Sequence, residues 1–216
     1  MLLAEDALLL ATDDETGKKL GRHTDLLVGG ALLADLALAG NIRLAERGEE
    51  VRKNRALTVP DAPWPADPLL ADALLLAGTK PQWSPPTLVE KLSRKRVDAV
   101  YERLARAELV SRVEHRVLGV LPISRWTSID TRYEDGLRAR LDEVFLFGVE
   151  PDPSTAALAA LLSAAGVLVQ VLDRGRKLDR RSVKQRGKDL QRQYWPAMAL
   201  ERAAQNADAA AAAAAS

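Results

Sequence analysis

Apolar residues recur along most of the chain with the spacing of an α-helix, so the pattern predicts a mainly helical fold. The predicted helices cover residues 2–12, 26–40, 69–77, 85–107, 131–146, 154–172 and 179–204. Thr24 and Asp25 suit the N-cap of the second helix, and Gly40 suits the position after its last turn. Pro85 and Pro86 suit the first turn of the fourth helix, where a proline breaks no hydrogen bond.

Two glycines, Gly29 and Gly30, stand inside the second predicted helix. Each costs about 1 kcal/mol there relative to alanine. A helix that accepts this cost twice in succession is predicted to pack closely against a neighbour or a ligand at that point.

Two stretches predict short β-hairpins, one of them by alternating apolar and polar residues. The first hairpin joins a strand at 42–44 to one at 56–59, and the second covers residues 110–129. No Gly- or Ser-rich linker divides the chain, so we predict a single-domain helical bundle over residues 1–205 with one or two short β-hairpins. Residues 206–216 form an Ala-rich, low-complexity tail that is predicted to fray.

The longest apolar run, residues 156–172, is rich in alanine and contains Ser163, Gly166 and Gln170. A helix that spans a bilayer needs about 20 strongly apolar residues, so this run predicts a buried core helix instead. The first residues include Glu5 and Asp6 and lack a basic region, which argues against a signal peptide. We therefore expect a cytoplasmic protein whose membrane contact is peripheral.

Composition and charge narrow the class of function. Hydrophobic residues make up 47% of the 216 residues and aromatic residues only 4%, so leucine, alanine and valine must fill the core. The net charge is +1, whereas proteins that coat nucleic acid usually carry a large basic excess. The distribution of the charge is therefore more informative than its total.

Residues that support catalysis or metal binding are sparse. The chain has no cysteine, which removes disulfides, thiolate metal sites and a cysteine nucleophile. Its two histidines, His23 and His115, are far apart in sequence, and no nucleophile motif is present. Asp13, Asp14 and Glu15 are consecutive and lack the alternating ligands of a calcium loop. We therefore predict a protein that is not an enzyme and that needs no metal or cofactor.

Basic residues gather in three places. Residues 94–96 read Arg-Lys-Arg on the predicted 85–107 helix, and Lys18, Lys19 and Arg22 precede the second helix. Residues 174–192 hold nine basic residues against two acids, a local excess of seven positive charges. Such clusters attract phosphate-bearing partners, and near an anionic membrane each cation contributes about 1 kcal/mol.

Two stretches near the N-terminus carry the pattern of a known family. Residues 3–10 resemble its N-terminal helix, and residues 29–42 resemble its Gly-Gly helix. The helix near Arg94 and the hairpin at 111–127 are similar to its middle, so the resemblance extends over about residues 2–200. The family is the Golgi phosphoprotein 3 family of peripheral membrane proteins. The resemblance implies a mostly helical single domain with a projecting β-hairpin, and eukaryotic members bind phosphatidylinositol 4-phosphate at Golgi membranes.

The resemblance also implies a basic lipid pocket. The family builds it from an Arg beside the Gly-Gly pair, a Trp in the preceding loop and two Arg residues three apart on the middle helix. Here Val28 stands beside the glycines, and Lys19 is the nearest counterpart of the Trp. Arg94 stands for the first Arg of the pair, while Val97 takes the second position with Arg96 beside it. The residues predicted to bind an anionic, phosphatidylinositol 4-phosphate-like headgroup are Lys18, Lys19, Arg22, Arg94 and Arg96.

Two other readings stay open. A helix followed by a hairpin resembles a winged-helix arrangement that binds nucleic acid, but the near-zero net charge argues against a nucleic-acid partner. An exposed apolar hairpin would instead support self-association or membrane contact, and so a homo-oligomer through residues 111–127. The predicted contact residues of that hairpin are Leu118, Val120, Leu121, Ile123 and Trp126.

Overall fold

The structure is a computed structural model that describes residues 1–49, 51–117, 121–173, 175 and 178–215. Its helices are α1 (Leu3–Leu10), α2 (Thr24–Leu38), α3 (Pro68–Ala77), α4 (Pro85–Ser93), α5 (Val97–Arg106), α6 (Arg132–Phe145), α7 (Pro153–Ala164), α8 (Leu168–Leu172), α9 (Arg180–Gln193) and α10 (Trp195–Ala214). Its strands are β1 (Ile42–Leu44), β2 (Ala56–Thr58), β3 (Val110–Val117) and β4 (Leu121–Ser128). The predicted mainly helical fold with short hairpins is confirmed.

Helices α1 and α2 lie at the centre of the bundle. All eight residues of α1 are buried, and α2 packs against α1, α4, α7 and α10. Both helices are apolar around most of their circumference, which is the pattern of a helix surrounded by other helices. Asp35 is an exception on α2, because its carboxylate accepts hydrogen bonds from the backbone N–H groups of Leu3 (3.0 Å) and Ala4 (3.4 Å). Burial raises the pKa of Asp35 to about 7.

The two ends of α2 test the predicted caps. The N-cap is His23, and Thr24 and Asp25 are already helical, so the predicted N-cap is wrong. The Thr24 hydroxyl donates backwards to the Gly21 carbonyl oxygen at 3.2 Å instead of capping the helix. The C-terminal prediction is confirmed, because Gly40 follows the helix with φ +74°, in the left-handed region that glycine adopts most easily.

The helix predicted over 85–107 is two helices. Its start at Pro85 is confirmed, but α4 ends at Ser93 and α5 begins at Val97. Lys95 has φ +56°, a conformation that an α-helix does not contain. A continuous helix would place Arg96 on the apolar face between Leu92 and Val100, and the break avoids burying that charge.

Two other predicted helices are also divided. The 154–172 segment breaks after α7, where Gly166 has φ +74°, and resumes as the short helix α8. The 179–204 segment breaks at Tyr194, because Pro196 has no N–H for a preceding helical turn and would clash with it. Helix α10 runs on through the alanines to Ala214.

Two antiparallel hairpins complete the fold. In the first, Ile42 pairs with Thr58, and Ala56 also bridges to Trp83. In the second, Val110 lies opposite Ser128 at the base of the hairpin. Both predicted hairpins are therefore confirmed.

The apolar run at 156–172 belongs to the core through α7 and α8, as predicted. Within the described residues, no helix has both the length and the apolar character that crossing a bilayer requires.

Candidate functional site

The candidate site is the junction between α4 and α5, formed by Arg94, Lys95 and Arg96. Arg94 is extended (φ −65°, ψ 123°), Lys95 is left-handed, and Arg96 forms the N-cap of α5. The prediction that these cations lie on one helix is therefore wrong. Because consecutive residues here have unlike backbone conformations, the three side chains leave the chain at a bend.

The first glycine of the Gly-Gly pair of α2 packs against α4 just before this junction. A Cβ atom on Gly29 would lie 2.5 Å from the Val89 carbonyl oxygen and 2.8 Å from the Ser93 backbone nitrogen. A Cβ atom on Gly30 would lie 3.1 Å from the Leu200 Cβ atom on α10. The predicted close packing is thus with neighbouring helices. The backbone of α2 touches the last turn of α4, so Arg94 begins directly beside α2.

The cations of the junction have different surroundings. Arg94 and Lys95 are exposed, whereas Arg96 is half-buried. Burial lowers the pKa of the Arg96 guanidinium from its usual value, and the nearby Asp72 carboxylate on α3 acts in the opposite direction. No carboxylate of the described residues forms an ion pair with any of the three cations. The junction therefore carries a net positive charge, which the Asp72 carboxylate offsets only at Arg96.

Lys18 and Lys19 lie in the loop between α1 and α2. The Asp13 backbone N–H donates to the Lys18 carbonyl oxygen at 2.8 Å, and Lys19 forms a bridge with Thr12. Hydrogen bonds from Thr16 lower the pKa of Asp13, and the Lys18 charge acts in the same direction. Lys18 is therefore partly balanced by Asp13, whereas no carboxylate of the described residues forms an ion pair with the exposed Lys19.

The same loop rests on the second hairpin. A Cβ atom on Gly17 would lie 2.6 Å from the Trp126 carbonyl oxygen, and the Ser128 backbone N–H donates to the Asp14 carbonyl oxygen at 3.1 Å. The Thr12 hydroxyl is 2.8 Å from the Tyr101 hydroxyl on α5. The start of the loop that carries these cations thus contacts the middle of α5, about one turn beyond the junction.

Arg22 is exposed just before the N-cap of α2. Its neighbour His23 is engaged elsewhere, because the imidazole Nε2 is 3.0 Å from Asp208 Oδ1 on α10. The five predicted headgroup residues therefore belong to two groups. Arg94 and Arg96 lie together at the junction, and Lys18, Lys19 and Arg22 lie on the loop between α1 and α2.

Two positions named by the resemblance are apolar for a structural reason. Val28 has no exposed surface and belongs to the core, and Val97 packs partly buried against the same core. Lys95 was absent from the predicted set but is exposed at the bend, and its place between two predicted arginines was the signal for including it.

The hairpin residues are described only in part. Leu118 and Val120 lie outside the described residues, and only the backbone is described for Leu121 and Ile123. Trp126 is partly buried, and its ring stacks on Tyr101 with centroids 5.4 Å apart. That stacking attaches the base of the hairpin to α5. Self-association through the hairpin stays a prediction.

The arrangement suits recognition of a phosphate. An arginine offers a planar pair of donors to two phosphate oxygens, and a lysine adds a mobile point charge. Within the described residues, no group of three or more His, Asp or Glu side chains is placed to hold a metal ion.

Comparison with known proteins agrees with this architecture. A family model described as Golgi phosphoprotein 3 (GPP34) matches residues 3–207, nearly the whole chain. A search of curated proteins gave no match.

Proposed function

Because the chain belongs to the Golgi phosphoprotein 3 family, we propose that it is a peripheral membrane protein that binds anionic phospholipid headgroups at the α4–α5 junction. It acts by binding, not by catalysis, on the cytoplasmic face of a membrane. The observation that carries the proposal is the exposed Arg94–Lys95 pair beside half-buried Arg96, three cations without an ion-paired carboxylate among the described residues.

The chemistry of the junction favours a headgroup that carries a phosphate monoester. Such a group holds about two negative charges at neutral pH and three acceptor oxygens. Arg94 can bind two of these oxygens side by side, and Lys95 adds a third charge-assisted contact. A phosphatidylinositol 4-phosphate-like headgroup, which the family resemblance implies, presents a monoester of this kind.

The loop cations support the same membrane orientation. Lys19 and Arg22 are exposed and lie on the segment that precedes α2, the helix that packs against the end of α4 at Gly29. Near an anionic surface, each adds about 1 kcal/mol without contacting one particular headgroup. These cations strengthen the approach to the membrane, while the junction provides the contact.

Vesicle co-sedimentation tests the proposal. Phosphatidylcholine vesicles that contain phosphatidylinositol 4-phosphate should pellet the protein, and pure phosphatidylcholine vesicles should not. Binding should weaken as salt is raised, because exposed charges are screened. The Arg94→Gln and Lys95→Gln substitutions should each reduce binding about fivefold, the effect of one cation near an anionic surface.

Arg106→Gln is the matched control. Arg106 is exposed on α5 and carries the same charge as Arg94. Unlike Arg94, it forms an ion pair at 3.7 Å with Glu102 of the same helix. This variant should pellet like the wild type, and all variants should keep the wild-type circular dichroism spectrum. The proposal is wrong if the wild type pellets with no anionic vesicle, or if the Arg94→Gln/Lys95→Gln double variant pellets as well as the Arg106→Gln control.

A further inference from the structure

A second basic feature lies away from the α4–α5 junction, in a cavity where α9 crosses the end of α7 and the start of α8. The cavity has a volume of about 460 Å³. This volume falls within the roughly 300–1,000 Å³ that small-molecule sites occupy in proteins. Leu168 and Val169 form an apolar part of its wall, and the exposed Gln170 also lines it.

Three cations of α9 line this cavity. Arg180, Lys184 and Lys188 follow one another at intervals of four residues, so they share one face of the helix. Like charges at this spacing repel one another and destabilise an isolated helix. This repulsion has to be offset, either by a negative charge beside the helix or by a function of the three cations in binding.

The compensation within the protein is incomplete. Arg180 pairs with the Asp173 carboxylate, which follows α8. Lys184 and Lys188 form no ion pair with a carboxylate of the described residues, and no acid lines the cavity itself. Two positive charges thus face a concave surface without a partner there.

The packing of α9 fixes the position of these lysines. A Cβ atom on Gly187 would lie 2.6 Å from Leu168 Cδ2 and 3.0 Å from Ser163 Oγ. Gly187 therefore allows the backbone of α9 to approach α7 and α8 closely. Lys188 follows this contact directly, and Lys184 lies one turn before it, so both are based on a rigid part of the helix.

We propose that this cavity is a second anion site, which binds the phosphate group of a phosphate monoester or a diphosphate. The charge of the ligand follows from the site, because a monoester carries about two negative charges at neutral pH and matches the two unpaired lysines. Arg180 and the Gln170 carboxamide supply further donors to the oxygens. The phosphate is carried either by a soluble metabolite or by a lipid headgroup. The proposal does not depend on the α4–α5 junction.

Binding of inorganic pyrophosphate tests the site by calorimetry and by amide chemical shifts. The background is the Arg94→Gln/Lys95→Gln variant, so that the junction does not contribute. Titration should shift the amides of Gly166, Val169 and Gln170. Adding Lys184→Gln and Lys188→Gln should weaken binding about tenfold per lysine, the loss of one charge-assisted hydrogen bond each. Both lysines are exposed, so the fold should survive.

Arg181→Gln is the control on the same helix. Arg181 is exposed but lines a different cavity with Arg186, so its loss should weaken pyrophosphate binding by less than about twofold after screening by salt. Equal binding by the Lys184→Gln/Lys188→Gln protein and its parent would overturn the proposal. So would the absence of pyrophosphate binding in the parent.

Vesicles of phosphatidylcholine with phosphatidic acid separate the two sources of phosphate. If pelleting falls together with pyrophosphate binding when the lysines are replaced, the site takes a lipid headgroup. If pelleting is unchanged while pyrophosphate binding is lost, the site takes a soluble phosphate. Either result supports the cavity as a phosphate site, and both are independent of what Arg94 does.

Discussion

The contact between α2 and α4 makes Gly29 the position where a single methyl group should do most harm. A Cβ atom there would lie 2.5 Å from the Val89 carbonyl oxygen and 2.8 Å from the Ser93 nitrogen. Both neighbours are backbone atoms of α4 and cannot rotate away. Ordinary van der Waals contact would require the two helices to separate by about 1 Å, and the close packing of the interior resists such a shift.

Two opposing effects set the size of the change in Gly29→Ala. Alanine returns about 1 kcal/mol of helix propensity. Overpacking of a well-packed core costs about 1–3 kcal/mol, and here Val89 and Leu92, both without exposed surface, would also lose contacts. We expect the free energy of unfolding to fall by about 1–2 kcal/mol, which lowers Tm by about 2–8 °C in a domain of this size.

Urea denaturation followed by circular dichroism measures this effect, and Gly136→Ala is the control. Gly136 lies on the exposed side of α6, and a Cβ atom there would meet nothing within 4 Å. That variant should gain about 0.5–1 kcal/mol. The two alanine substitutions should therefore have opposite signs. A Gly29→Ala protein as stable as Gly136→Ala would refute the close approach of α2 and α4, and with it the placement of Arg94 beside α2.

Two further predictions concern buried charge and backbone strain. Burial raises the pKa of Asp35 from 3.8 to about 7 in the folded state. The folded state therefore binds a proton that the unfolded state has released. The stability that this proton provides is fully present below pH 4 and is lost as the pH rises through 7. Asp35→Asn should therefore gain stability relative to the wild type between pH 5 and pH 8, by at most roughly 4 kcal/mol, and urea midpoints that shift equally at both pH values would contradict this. Lys95→Gly should remove the cost of a left-handed lysine, raising stability by about 1 kcal/mol in the same assay. It should also weaken pelleting with phosphatidylinositol 4-phosphate vesicles, and unchanged stability would show that the φ of +56° carries no strain.

The sequence predicted the elements whose signals are local. The apolar periodicity placed the two central helices, and the alternation at 110–129 placed the second hairpin. Gly40 marked the end of α2 because the left-handed residue after a helix is usually glycine. These features depend on a few neighbouring residues, so one chain is enough to find them.

Features that depend on contacts between distant segments could not be predicted. The N-cap of α2 is His23 and not the predicted Thr24 or Asp25, and the His23 imidazole contacts Asp208 near the C-terminal end of the chain. The Asp35 carboxylate accepts a hydrogen bond from the first backbone N–H group of α1, a contact that the periodicity of the sequence does not reveal. The site itself was predicted only as a set of cations, because the approach of α2 at Gly29, which fixes the junction, is a tertiary contact.

Arg96 gives the physical reason for the junction that periodicity missed. Five residues stand at four-residue intervals along this segment: Leu88, Leu92, Arg96, Val100 and Leu104. All of them except Arg96 are fully buried. In one continuous helix the guanidinium would lie in the middle of this apolar stripe, and an unpaired buried charge costs several kcal/mol. One residue in the left-handed conformation costs about 1–2 kcal/mol, so the break is the cheaper solution. The break leaves Arg96 half-buried near α3 and places Arg94 and Lys95 at the surface. A cation in the centre of an apolar stripe is therefore a sequence signal for a helix junction, and the charge that a helix could not bury becomes part of the proposed headgroup site.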